Sequence, residues 1–419
     1  MDNSIHIPLD LSDVQVLETS KTATGAWLIK VESTLTGTRC RQCGRHINHF
    51  HGYDEALRLR HLPLFEIPVY IELRPKRYLC DECKGTPTTT QRLSWYKQRS
   101  SNTKAYEKWL LRMLINSTVS DVARKFNISD ETVNGVVNRW IATQVNWNTF
   151  ERIEIIGIDE ITLKRGHRDY VALITTPLDP EGVEVLAVLK DRKKETVSDF
   201  LDSIPMRLKV TIKRVCSDMY SGFVTAAEKQ LPWAKIVVDR FHVAKAYRAS
   251  ADTVRKQEIK RLKRDLSKAE YETLKGAMWP FRKSPEDLND EEQGLLNRVF
   301  SYSPKLKKAY QLREELTQIF ERNYTKSGAK CAIRAWCKRV RKSGIEAFDG
   351  FLGTVETWLD KITNYFLEGL NSGFVEGFNN RVKVLKRRCY GIFDVDRIFQ
   401  RLTLDINGYD WFGSPEQYI

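Results

Sequence analysis

From its start to about residue 90 the chain alternates short β-branched and aromatic runs, WLIKVES and FEIPVYIEL among them, with turn residues, which predicts a small domain of short strands over residues 1–90. Residues 84–103, KGTPTTTQRLSWYKQRSSNT, are rich in Thr, Ser, Gly and Pro without sustained periodicity and predict a linker. The period then becomes helical. AYEKWLLRMLINS predicts one helix, and in VSDVARKFNISDETVNGVVNRWI the residues Val119, Val122, Ala123 and Phe126 share a second helical face. Asn127 and Ile128 make a tight turn. Ser129 or Asp130 caps a third helix that sends Val133, Val136, Val137 and Trp140 inward. This pair predicts a helix-turn-helix within residues 104–148, whose last helix fits a major groove and makes Thr132, Asn134 and Arg139 candidates for DNA contact.

Residues 151–242 switch to strands: EIIGIDEITL, DYVALITT and GVEVLAVL, then a helical KETVSDFLDSI, the strand KVTIKRVCSD, another helix, and AKIVVD. Three strands in meander followed by helix, strand, helix and strand fit an α/β layer of the ribonuclease-H type. Residues 243–365 are helical and heavily basic, with VRKQEIKRLKRDLSK and CAIRAWCKRVRKS as their densest stretches, and predict an insertion. Residues 366–419 then complete the core, ending in the helix DVDRIFQRLTLDI. The fold class is multidomain α+β.

Charge and cysteine usage sharpen this outline. The 419 residues carry a net charge of +14, which implies a polyanionic partner, because clustered Lys and Arg gain affinity for phosphates by releasing counterions. No apolar run reaches the ~20 residues of a membrane span. MDNSIHIPLDLSD has neither basic nor apolar signal character, so a cytoplasmic, nucleoid-associated protein with no membrane partner is expected. Of eight cysteines, Cys40 and Cys43 (CRQCG) and Cys80 and Cys83 (CDECK) have the two-residue gap that aims two thiolates at one ion, which predicts structural Zn²⁺. The distance between the pairs requires the intervening strands to fold back. His46, His49, His51 and His61 lie between them as alternative ligands.

Asp159 in IEIIGIDEITL and Asp218 in TIKRVCSDMYSGF sit at or near the ends of β-branched runs, where a strand presents them at a sheet rim. Glu376 in NSGFVEGFNNRVK reads as helical. Two strand-end aspartates met by a helical glutamate form a carboxylate cluster able to hold two divalent metals for phosphoryl transfer. Asp239 rivals Asp218 because VVD also ends an apolar strand, but Asp218 follows the strand expected beside the first. Glu160 should face away from Asp159 by strand alternation. Arg381, Lys383, Lys386, Arg387 and Arg388 follow Glu376 on its helix and predict phosphate contacts. Trp279, Trp336 and Trp358 in the insertion are candidates for base stacking or for core.

The double CxxC, the helix-turn-helix, GIDE, SDMY, VVDRFH and EGFNNRVKVLKRRCYGI, in that order, closely resemble the acidic-triad insertion-sequence transposases of the ISL-three family over nearly the whole chain. The resemblance implies cleavage and joining of DNA, dependent on Mg²⁺ (or Mn²⁺), at the inverted repeats that end a mobile element. Asp159, Asp218 and Glu376 would be its metal ligands, and double-stranded element ends and target DNA its partners. Asp239 with His242 resembles an accessory motif of related transposases, in which His242 would orient the scissile phosphate or a water, or else hold a structural hydrogen bond to Asp239. Action on two ends implies a homodimer when assembled on DNA. The competing reading is a zinc and helix-turn-helix DNA-binding regulator with an inactive or nuclease-only core.

Overall fold

The computed structural model describes residues 9–162, 170–178, 182–367, 381–385, 387–389 and 392–413, so the expected ligand Glu376 and the expected DNA contact Lys386 lie outside the described residues. The chain divides into two compact units, Met1–Thr143 with Gln400–Ile419, and Gln144–Phe399.

The first unit opens with strands β1 (Val14–Lys21), β2 (Trp27–Ser33), β3 (Thr38–Arg39), β4 (His46–Ile47), β5 (His49–Tyr53), β6 (Leu57–Leu64), β7 (Ile67–Leu73), β8 (Lys76–Leu79) and β9 (Thr88–Thr90). They form a sheet β1-β2-β7-β6, a hairpin β3-β4 and a sheet β5-β8-β9. FEIPVYIEL enters its strand only at Ile67, because Phe65 and Glu66 form the β6–β7 turn at φ +48° and +66°.

The expected linker is instead part of this domain. Leu93 and Trp95 fill its core with Val31, Leu59, Val69 and Ile71, while the backbone at Ser101 and Thr103 bonds to Arg60. Apolar residues two apart in extended chain reach one face, and two of them suffice to anchor a segment whose composition otherwise looks like loop.

Helices α1 (Lys104–Leu114), α2 (Val119–Lys125) and α3 (Asp130–Trp140) follow. Thr118 and Ser129 cap α2 and α3 by accepting from Asp121 N and Thr132 N. Asn127 takes the turn at φ +48°, a left-handed position that Asn tolerates. The expected inward face holds, with Val122, Val133 and Val136 at 1% exposure or less.

The C-terminal helix, Val395–Phe412, also serves this core, although residues 366–419 were expected to belong wholly to the catalytic layer. Leu404 and Phe412 pack with Leu110, Leu114 and Val136, and Gln400 Nε2 donates to Ile141 O at 2.8 Å. Arg401 Nη2 donates to the carbonyls of Leu114 and Ser117. A Cβ on Gly408 would stand 2.8 Å from the Ile115 side chain, so glycine permits the approach.

In the second unit, β10 (Ile155–Thr162), β11 (Tyr170–Leu178), β12 (Gly182–Leu189), β13 (Arg214–Ser217) and β14 (Lys235–Val238) form one sheet ordered β12-β11-β10-β13-β14. The first three pair antiparallel, and β10, β13 and β14 run parallel. Helices α4 (Lys194–Ser203) and α5 (Met206–Lys209) cross from β12 to β13, and α6 (Ser221–Gln230) from β13 to β14. Val197, Leu201, Phe223 and Ala227 from these helices bury against Ile156, Ile158 and Val215.

This is the strand and helix order expected from the sequence, with one contraction. Of KVTIKRVCSD only Arg214–Ser217 pairs as strand, because Lys209 ends α5 and the N–H groups of Val210, Thr211 and Ile212 donate back to Met206, Leu208 and Lys209 in helical and turn geometry. Helix α7 (Arg240–Asp265) starts directly after β14 and runs through the expected boundary at 242. It packs with the helices Pro304–Glu321, Lys326–Ser343 and Asp349–Thr363 around Trp336. Trp336 is fully buried and donates from Nε1 to Leu312 O at 2.8 Å, which makes it core rather than a stacking platform. Trp358 is half-buried, whereas Trp279 is 64% exposed beside the Arg282 guanidinium.

Candidate active site and metal centre

Strand pairing brings two of the three expected carboxylates together. Ile158 of β10 pairs in parallel register with Ser217 of β13, and the next residues along each strand are Asp159 and Asp218. Neighbouring strands lie about 4.8 Å apart, so the two carboxylates leave adjacent backbones at one level of the sheet. Ser217 pairs in turn with Val238, which puts Asp239 one strand further out, about 10 Å from Asp159.

Asp239 has a task of its own. It is 3% exposed, its Oδ1 accepts from Phe241 N at 2.9 Å, and it thereby N-caps the 26-residue helix α7. The first turn of that helix carries His242, whose Nε2 lies 4.0 Å from Asp159 Oδ1. Asp159 is itself 6% exposed and accepts from Glu160 N, while Asp218 Oδ1 accepts from Tyr220 N.

Burial, reinforced by the charge of Asp159, pushes Asp218 from its ordinary 3.8 up to about 6 against the opposing pull of His242 and the Tyr220 N–H. A buried carboxylate, Asp159, beside a half-buried one, Asp218, each raising the other's cost of ionisation, is a donor set that a divalent cation relieves, so the site fits one. Because the folded state holds this proton more tightly than the unfolded chain, stability without metal falls as pH rises from about 4 to about 6. Asp218→Asn is therefore expected to stabilise the metal-free protein by up to about 3 kcal/mol above pH 6 and by little below pH 4. Urea midpoints of both proteins across that range are the check.

Glu160, the next residue, pairs with Arg192, and its charge adds to the upward push on Asp218. The Arg192 guanidinium also lies 4.2 Å from the Tyr170 ring centre and 4.8 Å from that of Tyr220, two residues beyond Asp218. Sequence reading missed this cation. The basic run Lys190–Lys194 after β12 was its only trace. In the helical segment described on either side of residue 386, Arg381, Lys383 and Arg387 are exposed and Arg388 half-buried, while Val382 and Leu385 turn inward.

In the first unit, the β3–β4 and β8–β9 turns carry the cysteine pairs, and the strands between them fold back as the spacing required. The four Sγ atoms of Cys40, Cys43, Cys80 and Cys83 lie within 4.8 Å of one another, with Cys40–Cys83 at 3.9 Å and Cys43–Cys80 at 3.8 Å. A tetrahedral zinc with Zn–S near 2.3 Å demands sulfurs about 3.8 Å apart, so the donor set fits Zn²⁺. Backbone N–H groups of Cys43 and Gln42 hold the Cys40 thiol down to about 6, while hydrogen bonding to Cys43 and burial push Cys83 up to about 12, so without metal the negative charge of the cluster rests on Cys40. The intervening histidines are not drawn in: His49 meets Asp81, and His61 is buried against Thr103 Oγ1 at 2.9 Å.

On α3, Thr132 and Asn134 are half-exposed. Arg139 is engaged inside its own domain, where Nε and Nη2 donate to Glu107, a carboxylate with 1% of its side chain exposed. Trp140 Nε1 and Ser100 Oγ complete the set of donors to Glu107. Arg139→Ala leaves a buried charge short of its cation but still bonded to Trp140 and Ser100, so a loss of roughly 1–3 kcal/mol in folding stability is expected by denaturant titration.

A family model described as a transposase, of the ISL3 type, matches residues 156–402, more than half of the chain. The chain belongs to the ISL3 transposase family. The helix-turn-helix domain of the same family matches residues 91–141, and the zinc finger of the transposases of IS204, IS1001, IS1096 and IS1165 matches residues 36–83. The protein is similar to the transposase for insertion sequence element IS1001 of Bordetella parapertussis, 29% identical over 371 residues, covering 88% of this chain and 89% of that one. It is also similar to the transposase for IS1557 of Mycobacterium tuberculosis, 23% identical over 392 residues, covering 88% and 86%. The Drosophila P element transposase strand transfer complex superposes with a TM-score of 0.36 at 12% identity, over 74% of this chain and 93% of that one.

Family and domains make this protein a DNA-binding transposase and not a regulator with a zinc finger. The Cys40, Cys43, Cys80 and Cys83 cluster falls within the matched zinc finger, and its geometry supports a structural zinc. Among the described residues, no helix is long and apolar enough to cross a membrane.

Proposed function

We propose that this transposase cuts and joins DNA at the terminal inverted repeats of its element, with Asp159, Asp218 and Glu376 holding Mg²⁺ (or Mn²⁺). The register that pairs Ile158 with Ser217, and so sets Asp159 beside Asp218, carries this reading. When bound, two such ions activate the attacking water or DNA 3′-hydroxyl and stabilise the departing 3′-oxygen. The residues around them hold and orient. Asp159, on β10, and Asp218, directly after β13, supply negative charge at adjacent backbones. His242, on a helix capped by Asp239, reaches the same carboxylates and orients the scissile phosphate or a water. Arg381, Lys383, Lys386, Arg387 and Arg388 track the backbone beside the cut.

Thr132 and Asn134 on α3 read or grip the element end, and Arg139, through Glu107, fixes the angle at which α3 is offered. Two ends processed together require two copies, so a homodimer assembles on DNA, with target DNA as the second substrate. The test is a labelled duplex carrying the element's terminal repeat, incubated with full-length protein and Mg²⁺. Cutting at the repeat boundary followed by strand joining is expected. Absence of cutting with Mg²⁺ and with Mn²⁺ overturns the reading, and cutting without joining reduces it to a nuclease.

A further inference from the structure

The zinc domain contains a cleft that neither the helix-turn-helix nor the carboxylate site uses. It has a volume of about 670 Å³ and lies between the chain entering β3 and the strand β9 with its exit, lined by Arg39, Arg41, Arg92, His46, Thr38 and Gln91 among others. No acidic side chain and no Phe, Tyr or Trp lines it.

The walls are built. Gln91, 2% exposed, donates from Nε2 to the carbonyls of Leu35 at 3.3 Å and Gly37 at 2.9 Å, tying one wall to the other. A Cβ on Gly37 would stand 2.5 Å from the His46 ring and 2.6 Å from Ile47 O, so only glycine lets the β3–β4 hairpin close on this wall. Arg41 N donates to Thr89 Oγ1 at 3.1 Å, which pins the first cysteine turn to β9.

Other arginines of this domain are committed elsewhere: Arg45 to Glu82, Arg58 to Glu72, Arg77 to Thr88 Oγ1 and Arg60 to Phe126 O. Arg39, Arg41 and Arg92 are exposed and, among the described residues, none of their guanidiniums has a carboxylate partner. Three unpaired guanidiniums converging on one acid-free cleft repel each other and lack a counter-charge.

We infer that this cleft is a second DNA site of the transposase, in which Arg39, Arg41 and Arg92 clamp consecutive phosphates of one strand of duplex DNA. The absence of an aromatic platform argues for backbone over an extruded base, since bases in such pockets stack on rings. The site grips without reading sequence, and so positions DNA while α3 selects it. This rests on the DNA-binding reading above.

The test compares full-length wild type with the triple variants Arg39→Ala/Arg41→Ala/Arg92→Ala and Arg39→Lys/Arg41→Lys/Arg92→Lys. Binding to an element-end duplex and to a random-sequence duplex of equal length is measured from 50 to 250 mM salt, alongside zinc content and thermal unfolding. Each lost phosphate contact removes about 0.9 from the slope of log affinity on log salt. The alanine variant is expected to lose about 2–3 from the slope and roughly 10- to 100-fold in affinity at 150 mM, equally on both duplexes, with zinc retained. The lysine variant is expected to keep the slope. Unchanged affinity and slope in the alanine variant overturns the inference. Loss of zinc from that variant also overturns it, because the arginines then serve to balance the charge of the zinc thiolates. Absence of duplex binding by wild type overturns the DNA-binding reading and this inference with it, whereas normal binding by wild type and variant alike overturns this inference alone.

Discussion

Asp218→Asn is expected to abolish Mg²⁺-dependent cleavage of an element-end duplex, by at least about 10³-fold, while leaving end binding intact or slightly tighter. An amide has the same shape as the carboxylate but no net charge, so the site loses a ligand that orders divalent ions. The same loss of charge reduces repulsion toward the phosphate backbone. Asp159→Asn and Glu376→Gln should behave alike.

Asp239→Asn is the discriminating variant. Asparagine caps a helix about as well as aspartate, so α7 and His242 stay in place, and cleavage should survive within roughly tenfold. If Asp239→Asn abolishes cleavage and Asp218→Asn does not, the second catalytic aspartate is Asp239, and the strand register fails as a guide to the site. The paired measurement of cutting and binding matters, because a variant that merely unfolds loses both.

Removal of zinc is expected to have the second largest effect. One Zn²⁺ per chain should be found in purified protein, and Cys80→Ser should reduce it to none. Cys80 is fully buried and Cys40 3% exposed, in a small cluster with Ile47 and Tyr78 that has little apolar material to hold the two turns together without metal. Structural zinc in finger peptides contributes on the order of 10 kcal/mol or more, and a local unit of this size cannot replace that by packing. Cys80→Ser or chelation should therefore melt the region from β3 to β9 and make it sensitive to protease. Cutting by the second unit on pre-nicked DNA should be less affected than binding. Full zinc retention by Cys80→Ser, or a chelated protein that keeps protease resistance across residues 36–83, would show that the four sulfurs are not the ligands.

Much of this protein was legible as sequence because local physics decided it. The CxxC gaps of Cys40–Cys43 and Cys80–Cys83 fix where each pair of thiolates points within a single turn. Ser129 marks the start of α3 because its hydroxyl satisfies an otherwise bare N–H three residues on, and the structure has that bond. The strand sequence of the second unit follows from runs such as IIGIDEIT, whose nearly continuous burial is the mark of a central strand covered on both faces. From this order alone Asp218 stands nearer Asp159 than Asp239 does.

Other decisions depended on partners far away in sequence, which no local pattern names. Residues 84–103 became part of a core because Leu93 and Trp95 found an open apolar face on β2, β6 and β7. Arg139 is tied down at the surface because Glu107, 32 residues earlier, is buried beneath it, and an ion in low dielectric holds its counter-ion more firmly than solvent does. The amphipathic period of the last helix required a partner without saying which, and Leu404 and Phe412 bury with α1 and α3. Capping by Asp239, the approach of His242 to Asp159 and the raised affinity of Asp218 for its proton arise only when the middle of β10, the ends of β13 and β14 and the first turn of α7 meet. Sequence determined which segments would be strands, helices and metal turns, through propensity and spacing. Tertiary structure decided which charges would lose their water, and so which carboxylates and arginines are placed for chemistry and which hold the fold.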